Sequence, residues 1–460
     1  MEQQRQQVIK RLAERRKLAD ECVYPSVSQR RARLKKLLSL VIEHREAAVA
    51  ALRDDLGKSA FESYSTELLP LTGILRYLIR KLPSLGRKHR AGVSWMNFPA
   101  SGYVVPEPYG LVLIVATWNY PLLLALEPLA GAYAAGNQTV LKLHDRAPHV
   151  SNFLQWLIGE AFDDEITVVD GEMKFSELLR ERFDYIFYTG NGQGGREVLR
   201  SAAENLTPVT LEMGGKCPCI VAPCANLKIA ARRIVWGKFT NCGQTCVAPD
   251  YLLVHSAVKD ELTEQLKQAV RKFYGTLPLE SSDLGHLIDS RAYERVSRLA
   301  GNGRLICGGD KQPDRLSIEP TIVDRLAPED PLLAEEIFGP VLPVVTYESD
   351  EELFASVRRH GKPLAIYCFG GSGALRRRLR RESSSGALVF NDVVTHFINP
   401  DMPFGGVGAS GMGAYHGKRT FDTFTHYKPV MEQSRWFDLP FRYPPFSRLC
   451  TAFLDLLVRR

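Results

Sequence analysis

Hydrophobic residues are spaced differently in successive parts of the chain. In the first 90 residues leucine and valine recur at the spacing of one helix face, as at Leu34, Leu37, Leu38 and Val41. Residues 111–116 are instead a continuous apolar run, which is typical of a strand buried on both faces. Strands are then predicted at 139–143, 166–169 and 183–188, and helices at 121–136, 148–162 and 196–205. This alternation predicts a parallel sheet covered by helices on both sides, a layout typical of nucleotide binding.

A second alternation of strands and helices follows. Its strands are predicted at 219–221, 252–255, 342–347, 364–369 and 387–390, and its helices at 227–239, 259–273, 351–360 and 374–382. The pattern predicts a second α/β domain. Two other stretches differ: residues 92–110, rich in Gly, Pro and aromatic residues, are expected to form a hairpin arm, and residues 395–460 contain few periodic segments.

Composition and charge exclude several classes of protein. Hydrophobic residues make up 45% and charged residues 24%, which excludes bulk disorder. The 59 Lys and Arg against 52 Asp and Glu leave a net charge of +7, too small at this length to indicate nucleic-acid binding. We interpret basic runs such as residues 376–378 as solvated helix faces, and nucleic-acid binding through them stays a distant alternative.

Neither a membrane span nor a disulfide framework is expected. The most apolar stretch, residues 111–125, is interrupted by Asn119 and Pro121 well before the ~20 residues that a spanning helix needs. The polar N-terminal segment lacks the apolar core of a signal peptide. Nine cysteines in 460 residues include no CxxC pairs at zinc-finger spacing. We therefore expect a cytoplasmic protein with no metal site.

Two segments after predicted strands are candidates for ligand binding. Residues 188–195 contain four glycines within six residues between a strand and a helix. Such glycines let backbone N–H groups approach a phosphate, although a plain strand-to-helix turn is the alternative. Asn119 follows the first buried strand directly, where open α/β sheets bind ligands, and its alternative role is a helix N-cap.

Three other segments contain reactive side chains. Cys246 lies in the segment 241–249, and a lone cysteine is more often an inert buried residue than a nucleophile. Glu212 follows a predicted strand and precedes two glycines, so it is either a general base or a turn residue. The segment 335–340, which contains Glu336, is open to interpretation as an exposed acidic turn.

Together these segments resemble the aldehyde dehydrogenase superfamily, in its order and over nearly the whole chain. Residues 402–417 are similar to its short, class 3-like branch, which includes enzymes for fatty, aromatic and coniferyl aldehydes. The resemblance implies an α/β fold with a Rossmann-like parallel-sheet cofactor domain, a second α/β catalytic domain and a small β oligomerisation arm. We predict that residues 1–90 and 108–212 form the NAD(P)-binding domain, 213–392 the catalytic domain, and 91–107 and 393–460 the arm and C-terminal tail.

The same resemblance implies roles for individual residues. Cys246 would be the nucleophile, Asn119 the oxyanion donor and Glu212 the base that activates water. The coenzyme, NAD or NADP, would be bound by Thr117, Trp118, Lys142, Gly190, Asn191, Gly195, Glu336 and Phe338. An apolar aliphatic or aromatic aldehyde would be lined by Tyr64, Tyr120, Thr245 and Phe404. The protein would assemble as a homodimer, as that branch does.

Some features leave alternatives open. The segment after Lys142 reads Leu143-His144-Asp145 where the family usually has Pro-Ser-Glu, so the choice between NAD and NADP is open. A CoA-acylating enzyme is one alternative, and Glu212 argues against it because a water-activating base favours hydrolysis. A non-catalytic structural protein is another, and the intact Cys246, Glu212 and Asn119 argue against that.

Two further expectations concern Cys242 and the C-terminal helix. Cys242 precedes Cys246 by four residues, so on one helical turn, or on a loop of similar reach, their Cα atoms would lie about 6 Å apart, within disulfide range. Cys242 would then either resolve an oxidised Cys246 as a disulfide or be a buried filler that points away. A last short helix is also expected to present an apolar face that docks on the enzyme's own surface, with membrane-surface binding as the alternative. That face comprises Leu449, Phe453, Leu456 and Leu457.

Overall fold

The computed structural model describes residues 2–171, 173–439 and 442–459. Its strands are β1 (His89–Ala91), β2 (Ser101–Pro108), β3 (Leu111–Val115), β4 (Gln138–Lys142), β5 (Ile166–Val169), β6 (Tyr185–Gly190), β7 (Val209–Met213), β8 (Pro218–Val221), β9 (Tyr251–His255), β10 (Arg304–Cys307), β11 (Lys311–Gln312), β12 (Ser317–Ile318), β13 (Thr321–Asp324), β14 (Val341–Tyr347), β15 (Ala365–Phe369), β16 (Ala387–Phe390), β17 (Gly411–Met412) and β18 (Thr425–Glu432). Its α-helices are α1 (Glu2–Asp20), α2 (Val27–Glu43), α3 (Arg45–Leu56), α4 (Ala60–Ser63), α5 (Leu69–Leu85), α6 (Leu123–Ala135), α7 (Pro148–Phe162), α8 (Phe175–Leu178), α9 (Gly192–Asn205), α10 (Leu227–Phe239), α11 (Lys259–Tyr274), α12 (Ser290–Leu299), α13 (Pro331–Ala334), α14 (Asp350–Arg359), α15 (Gly373–Glu382), α16 (Lys418–Thr423) and α17 (Arg448–Val458).

The first sheet has the strand order β17-β7-β6-β3-β4-β5 and is parallel except at β17. Every residue of β3 is buried. Val112 and Ile114 pack into one hydrophobic cluster with α6 and α7, while Leu111 and Leu113 pack into another with α1 and α9. Because successive side chains of a strand point to opposite faces, helices on both sides explain the unbroken apolar run. The predicted parallel α/β arrangement is confirmed.

The second sheet has the order β10-β13-β14-β9-β8-β15-β16 and is parallel except between β10 and β13. The chain passes from the first sheet to the second between Met213 and Pro218, through Gly214 and Gly215. A third, antiparallel sheet, β1-β2-β18, contains a hairpin whose second strand lies within the predicted range 92–110 and whose first strand precedes it, and it adds a strand from the tail. The three-way division of the chain into domains remains a prediction.

Several elements differ from the sequence-based expectations. The strand predicted at 183–188 is β6, displaced by two residues, and α9 begins at Gly192 because Asn191 caps it and accepts a hydrogen bond from the Gly194 N–H. Helix α12 and strands β10 and β13 were not predicted. The helix is mostly polar and buries only Tyr293, Val296 and Leu299. The tail, expected to have few regular segments, contains α16, β17, β18 and α17.

The expected last helix is present as α17, but its expected docking is wrong for most of its apolar face. Leu449 is 84% exposed and Phe453 52%, and no residue of the helix is buried. Phe453 meets the edge of Trp95, which is itself half exposed. None of the helices in the described ranges has the length and apolarity that crossing a membrane requires.

Candidate active site

A cavity of about 740 Å³ lies where the carboxyl ends of the first sheet's strands meet the beginning of the second sheet. It brings together residues that are far apart in sequence. The sequence-predicted residues that line it are Thr117, Trp118, Asn119, Lys142, Gly190, Asn191, Glu212, Cys246, Glu336 and Phe338. Gly195, Tyr64, Tyr120, Thr245 and Phe404 do not line it. The cavity therefore unites the predicted catalytic residues with most of the predicted coenzyme residues.

Gly195, which we predicted to bind the coenzyme, packs against β7 and does not line the cavity. It is buried, and a Cβ atom at this position would lie 2.6 Å from Met213 Sδ. The absence of a side chain therefore lets α9 approach β7 closely. Gln193 and Gly194, which are two residues and one residue earlier, line the cavity.

The Glu212 carboxyl lies near the end of β7 and is almost fully buried, with 3% of the residue exposed. Its Oε1 has no hydrogen-bond partner among the described residues. Burial raises the pKa of this carboxyl to about 8, and a hydrogen bond from the Gly406 backbone opposes the shift. A carboxyl with such a pKa can accept a proton near neutral pH, as a general base must.

Cys246 is half-buried, and hydroxyl groups hold the residues on either side of it. The Tyr120 and Thr245 hydroxyl oxygens are 2.6 Å apart, and the Tyr367 hydroxyl donates to the Val247 carbonyl at 2.5 Å. Burial, followed by the negative charges of Glu212 and Glu336, raises the pKa of the Cys246 thiol well above its usual value.

Cys242 packs away from Cys246. The chain between them does not form a helical turn: Gln244 and Thr245 are not helical, and Cys242 itself has φ of +53°. Cys242 is fully buried in a cluster with Leu287 and Ile337, whereas Cys246 packs against the larger cluster around the sheets. All nine cysteines are free. The structure therefore favours the buried-filler alternative for Cys242.

Asn119 is 3% exposed, and its side chain is held at both ends. Its Nδ2 donates to the Gln244 carbonyl at 3.0 Å, and its Oδ1 accepts from the Thr117 hydroxyl at 3.3 Å. An amide nitrogen has two hydrogens, so one remains for a ligand in the cavity. This arrangement links Asn119 to the segment that contains Cys246.

Glu336 and Phe338 lie in a segment anchored by backbone contacts. Glu336 Oε1 accepts from the Gly215 N–H at 3.1 Å, and the Ile337 N–H donates to Asp250 Oδ1 at 3.0 Å. Burial, followed by the charge of Asp250, raises the pKa of Glu336 to about 8. The Phe338 ring meets Trp118 edge to face at a centroid distance of 5.4 Å. A flat ligand group could lie beside these two rings.

The residues after Lys142, Leu143-His144-Asp145, differ from the usual Pro-Ser-Glu and so change the charge beside Lys142. Lys142 Nζ donates to Asp145 Oδ1 at 2.8 Å and to the Leu143 carbonyl at 2.7 Å. Burial, with the nearby Arg146 charge, lowers the pKa of His144 to about 4. The imidazole is therefore neutral at pH 7 and offers no positive charge to a 2′-phosphate.

Sequence reasoning missed two cationic residues of the cavity. The Arg146 guanidinium lies 4.5 Å from the centroid of the Trp118 ring, and Arg295 donates to the Ile337 carbonyl at 2.5 Å. Arg146 is close enough in sequence to Lys142 to have been suspected. Arg295 lies on α12, which the sequence did not predict, so its position carried no signal.

The composition of the cavity fits a dinucleotide coenzyme. Lys142, Arg146 and Arg295 offer positive charge for phosphate groups, and Trp118 and Phe338 offer aromatic surfaces for flat rings. Within the part of the chain that the structure describes, no group of His, Cys, Asp and Glu side chains is arranged to hold a metal ion.

The predicted substrate residues lie in different surroundings. Tyr120 and Thr245 are buried and paired through their hydroxyls. The Phe404 ring stacks on His416 at 5.2 Å and is 8% exposed. Tyr64 lies on a π-helical turn, Tyr64–Leu68, and is 37% exposed.

Comparisons with known proteins agree with this arrangement. The model of the aldehyde dehydrogenase family matches residues 2–430. The chain is 41% identical to the 4,4'-diaponeurosporen-aldehyde dehydrogenase of Staphylococcus aureus, over 92% of this chain and 93% of that protein. It is 39% identical to a rat protein named "Aldehyde dehydrogenase, dimeric NADP-preferring", over 91% of this chain and 94% of that protein. A solved structure described as the substrate-bound state of Staphylococcus aureus AldH has a TM-score of 0.95 and 38% identity, covering 98% of this chain and 99% of that one.

Proposed function

The chain belongs to the aldehyde dehydrogenase family, and we propose that Cys246, Glu212 and Asn119 carry out its reaction. That reaction is the NAD(P)-dependent oxidation of an aldehyde to a carboxylic acid. The observation that carries the proposal is that one cavity joins a half-buried thiol, a buried carboxyl with a raised pKa and an amide with a free hydrogen. Non-catalytic use of the scaffold finds no support in the relatives, which are named as dehydrogenases.

Carbon–sulfur bond formation begins the proposed mechanism. The Cys246 sulfur, once deprotonated, attacks the aldehyde carbon and gives a thiohemiacetal. The remaining Nδ2 hydrogen of Asn119 and the Cys246 backbone N–H stabilise the oxyanion. Removal of one such donor typically lowers the rate by about 10²–10³.

Coenzyme binding and deacylation complete the turnover. Lys142, Arg146, Phe338 and Glu336 would hold NAD or NADP, which when bound supplies the acceptor for the hydride that leaves the thiohemiacetal. Glu212 then takes a proton from water, the resulting hydroxide attacks the thioester carbon, and the carbon–sulfur bond breaks. The acid leaves and Cys246 is regenerated.

Substitution of the two reacting side chains separates these steps. Cys246→Ala should abolish dehydrogenase and ester-hydrolysing activity, because both need the thiolate. Glu212→Gln should allow a stoichiometric burst of reduced coenzyme followed by slow turnover, measured by stopped-flow absorbance. Loss of the burst as well would show that Glu212 is not the deacylation base. Glu264→Gln, an exposed carboxyl on α11 paired with Lys267, is the control and should keep both phases.

We also propose an apolar aliphatic or aromatic aldehyde as substrate. The buried Tyr120, whose hydroxyl pairs with Thr245 next to Cys246, and the buried Phe404 support this, as does the 4,4'-diaponeurosporen-aldehyde in the name of the staphylococcal relative. An absorbance screen of aliphatic, aromatic and charged aldehydes with both coenzymes tests it. A higher kcat/KM for charged aldehydes would contradict the proposal.

A cytoplasmic homodimer is the further proposal for the whole protein. Nine free cysteines support a reducing compartment. Among the described strands, β18 and β16 each end a sheet, which leaves one edge of each strand without a partner. A second copy that pairs with such edges would satisfy their backbone groups. The rat relative that is named as dimeric supports the same assembly.

A further inference from the structure

An ion pair lies buried beside the loop that carries Asn119. Lys58 Nζ and Glu67 Oε1 are 2.5 Å apart, and both side chains are fully buried. Lys58 follows Gly57, which ends α3 in the left-handed conformation with φ of +67°. Glu67 lies on the π-helical turn Tyr64–Leu68, an element that is rare and often occurs at functional sites. Neither residue lines the cavity, and the mechanism above does not use them.

The pair binds the loop at Asn119 and at the residues that follow it. Lys58 Nζ donates to the Asn119 main-chain carbonyl at 3.0 Å, and it lies 4.0 Å from the centroid of the Tyr120 ring. Glu67 Oε2 accepts from the Leu122 and Leu123 N–H groups at 2.9 and 3.1 Å. These amides belong to the start of α6, whose first N–H groups have no partner within the helix. Five residues of loop, 119–123, are thus fixed by one pair of opposite charges.

Stability alone is a weak reason for such a pair. Apolar residues can often replace a buried ion pair without loss of stability, because the charges must first leave water. Hydrogen bonds to charged groups are, however, stronger and shorter than neutral ones and fix direction. The hydrogen bonds of Lys58 and Glu67 described above join the two side chains to each other or to the main chain of residues 119–123. The pair therefore fixes the main chain at Asn119, where a misplacement of about 1 Å can lower a rate about 10²-fold.

We propose that Lys58 and Glu67 are positioning residues that hold the Asn119 amide where the oxyanion forms. They act through the loop and touch neither substrate nor coenzyme. This inference rests on the proposed role of Asn119. It goes beyond that role by assigning the catalytic geometry to a charge pair on the segment between α3 and α5.

A double-mutant cycle with Asn119 tests the inference. The pair is removed as Lys58→Met/Glu67→Gln, because a single loss of Lys58 would leave the Glu67 charge buried alone. When Asn119 is unchanged, this double substitution should lower kcat about 10²-fold. It should also raise the primary isotope effect on kcat that is measured with a 1-deuterated aldehyde. In the Asn119→Ala background it should change kcat by no more than about twofold, the scatter expected when no interaction remains to be lost.

An ion pair elsewhere in the protein serves as the control. Lys259 Nζ on α11 and Asp324 Oδ2 on β13 are 2.6 Å apart, with Asp324 almost fully buried and the Lys259 side chain 23% exposed. Arg304 also donates to both oxygens of the Asp324 carboxylate. Lys259→Met/Asp324→Asn should lower Tm but leave kcat and the isotope effect unchanged. Should the Lys58→Met/Glu67→Gln variant fail to fold, Lys58→Gln/Glu67→Gln replaces both charges with neutral groups of similar length and should show the same dependence on Asn119.

The outcomes separate this inference from the proposed function. An equal loss of kcat with and without Asn119 would overturn the positioning role and leave the oxyanion role intact. A wild-type kcat in Asn119→Ala alone would instead refute the oxyanion role and, with it, the positioning inference. A loss of kcat that occurs only when Asn119 is unchanged, together with a raised isotope effect, would support both the oxyanion role of Asn119 and the positioning role of the pair.

Discussion

Burial of the Glu212 carboxyl couples the chemistry to pH. Its pKa of about 8 means that the group is protonated below that pH and ionised above it. Only the ionised form can take a proton from water, so deacylation should accelerate as pH rises through about 8. We expect the multiple-turnover kcat of the wild type to rise over this range. Steady-state rates from pH 6 to 10 measure it.

Glu212→Gln distinguishes this carboxyl from the Cys246 thiol, which also ionises as pH rises. The residual turnover of the variant should lose the dependence near pH 8, while the rate of the burst should keep its own rise with pH. An unchanged kcat profile in Glu212→Gln would assign the dependence to another group.

The same raised pKa affects stability in the opposite direction. A glutamate carboxyl in an unfolded chain ionises near pH 4.5, whereas Glu212 in the folded chain holds its proton to about pH 8. Between these values the folded state binds more protons, so Glu212 contributes a stability that falls as pH rises. Glu212→Gln should therefore weaken the decline in Tm between pH 5 and 9, as measured by calorimetry. A steeper decline in the variant would contradict this.

Asp145 is the residue that we expect to select the coenzyme. Its carboxyl group is 70% exposed and 2.8 Å from Lys142 Nζ, while neighbouring His144 is neutral at pH 7. The negative charge should repel a 2′-phosphate and favour NAD. Asp145→Ser should raise the ratio of kcat/KM for NADP to that for NAD about tenfold, which corresponds to about 1.4 kcal/mol. His144→Asn, which removes a neutral ring, should leave the ratio nearly unchanged, and a larger shift there would assign selection to His144.

At the scale of single elements, the turn before Cys246 and the last helix differ in what holds them. The Thr240–Gly243 turn is fully determined by its surroundings: Asn241 and Cys242 adopt positive φ, and Asn241 Nδ2 donates to the Asn119 carbonyl at 2.7 Å. Non-glycine residues adopt such angles only where contacts compensate for the strain. Helix α17, in contrast, buries no residue.

Removal of α17 should therefore have little effect on folding. A chain truncated after Pro445 should keep its Tm to within about 2 °C, because changes at exposed positions usually alter stability by less than about 0.5 kcal/mol. Its kcat should also be unchanged. Thermal scans at equal protein concentration test this, and a fall in Tm of several degrees would show that the helix docks on the enzyme after all.

For the whole molecule, the free strand edges give the homodimer a testable basis. Light scattering at micromolar concentration should give twice the chain mass of 51.5 kDa.

Trp236→Lys should reduce the dimer, because Trp236 and Ile229 expose apolar surface on one face of α10, 39% and 44% respectively. A species of 51.5 kDa in the wild type would refute the dimer, and an unchanged mass in Trp236→Lys would exclude α10 from its interface.

Local patterns in the sequence were sufficient for most of the fold. Helices such as Pro148–Phe162 and Leu227–Phe239 and strands such as Ile166–Val169 begin and end as predicted, because apolar periodicity and flanking residues determine them locally. Segments whose burial comes from few residues were missed, as in α12, where three buried side chains among ten give a weak pattern. Strands β10 and β13 are short and lie at one end of the second sheet, so their pairing depends on distant strands.

The sequence by itself determined which residue types are present and, through the resemblance, the chemistry they serve. Only the tertiary structure decided which of them share a cavity: it includes Cys246, Glu212 and Asn119, places Gly195 against Met213 and adds Arg295 from an unpredicted helix. It also revealed the Lys58–Glu67 pair. Both side chains bind the Asn119 loop, although more than 50 residues separate them from it in sequence. The physical reason is that burial and hydrogen bonding between distant segments depend on packing of the whole chain, whereas strand and helix patterns are local.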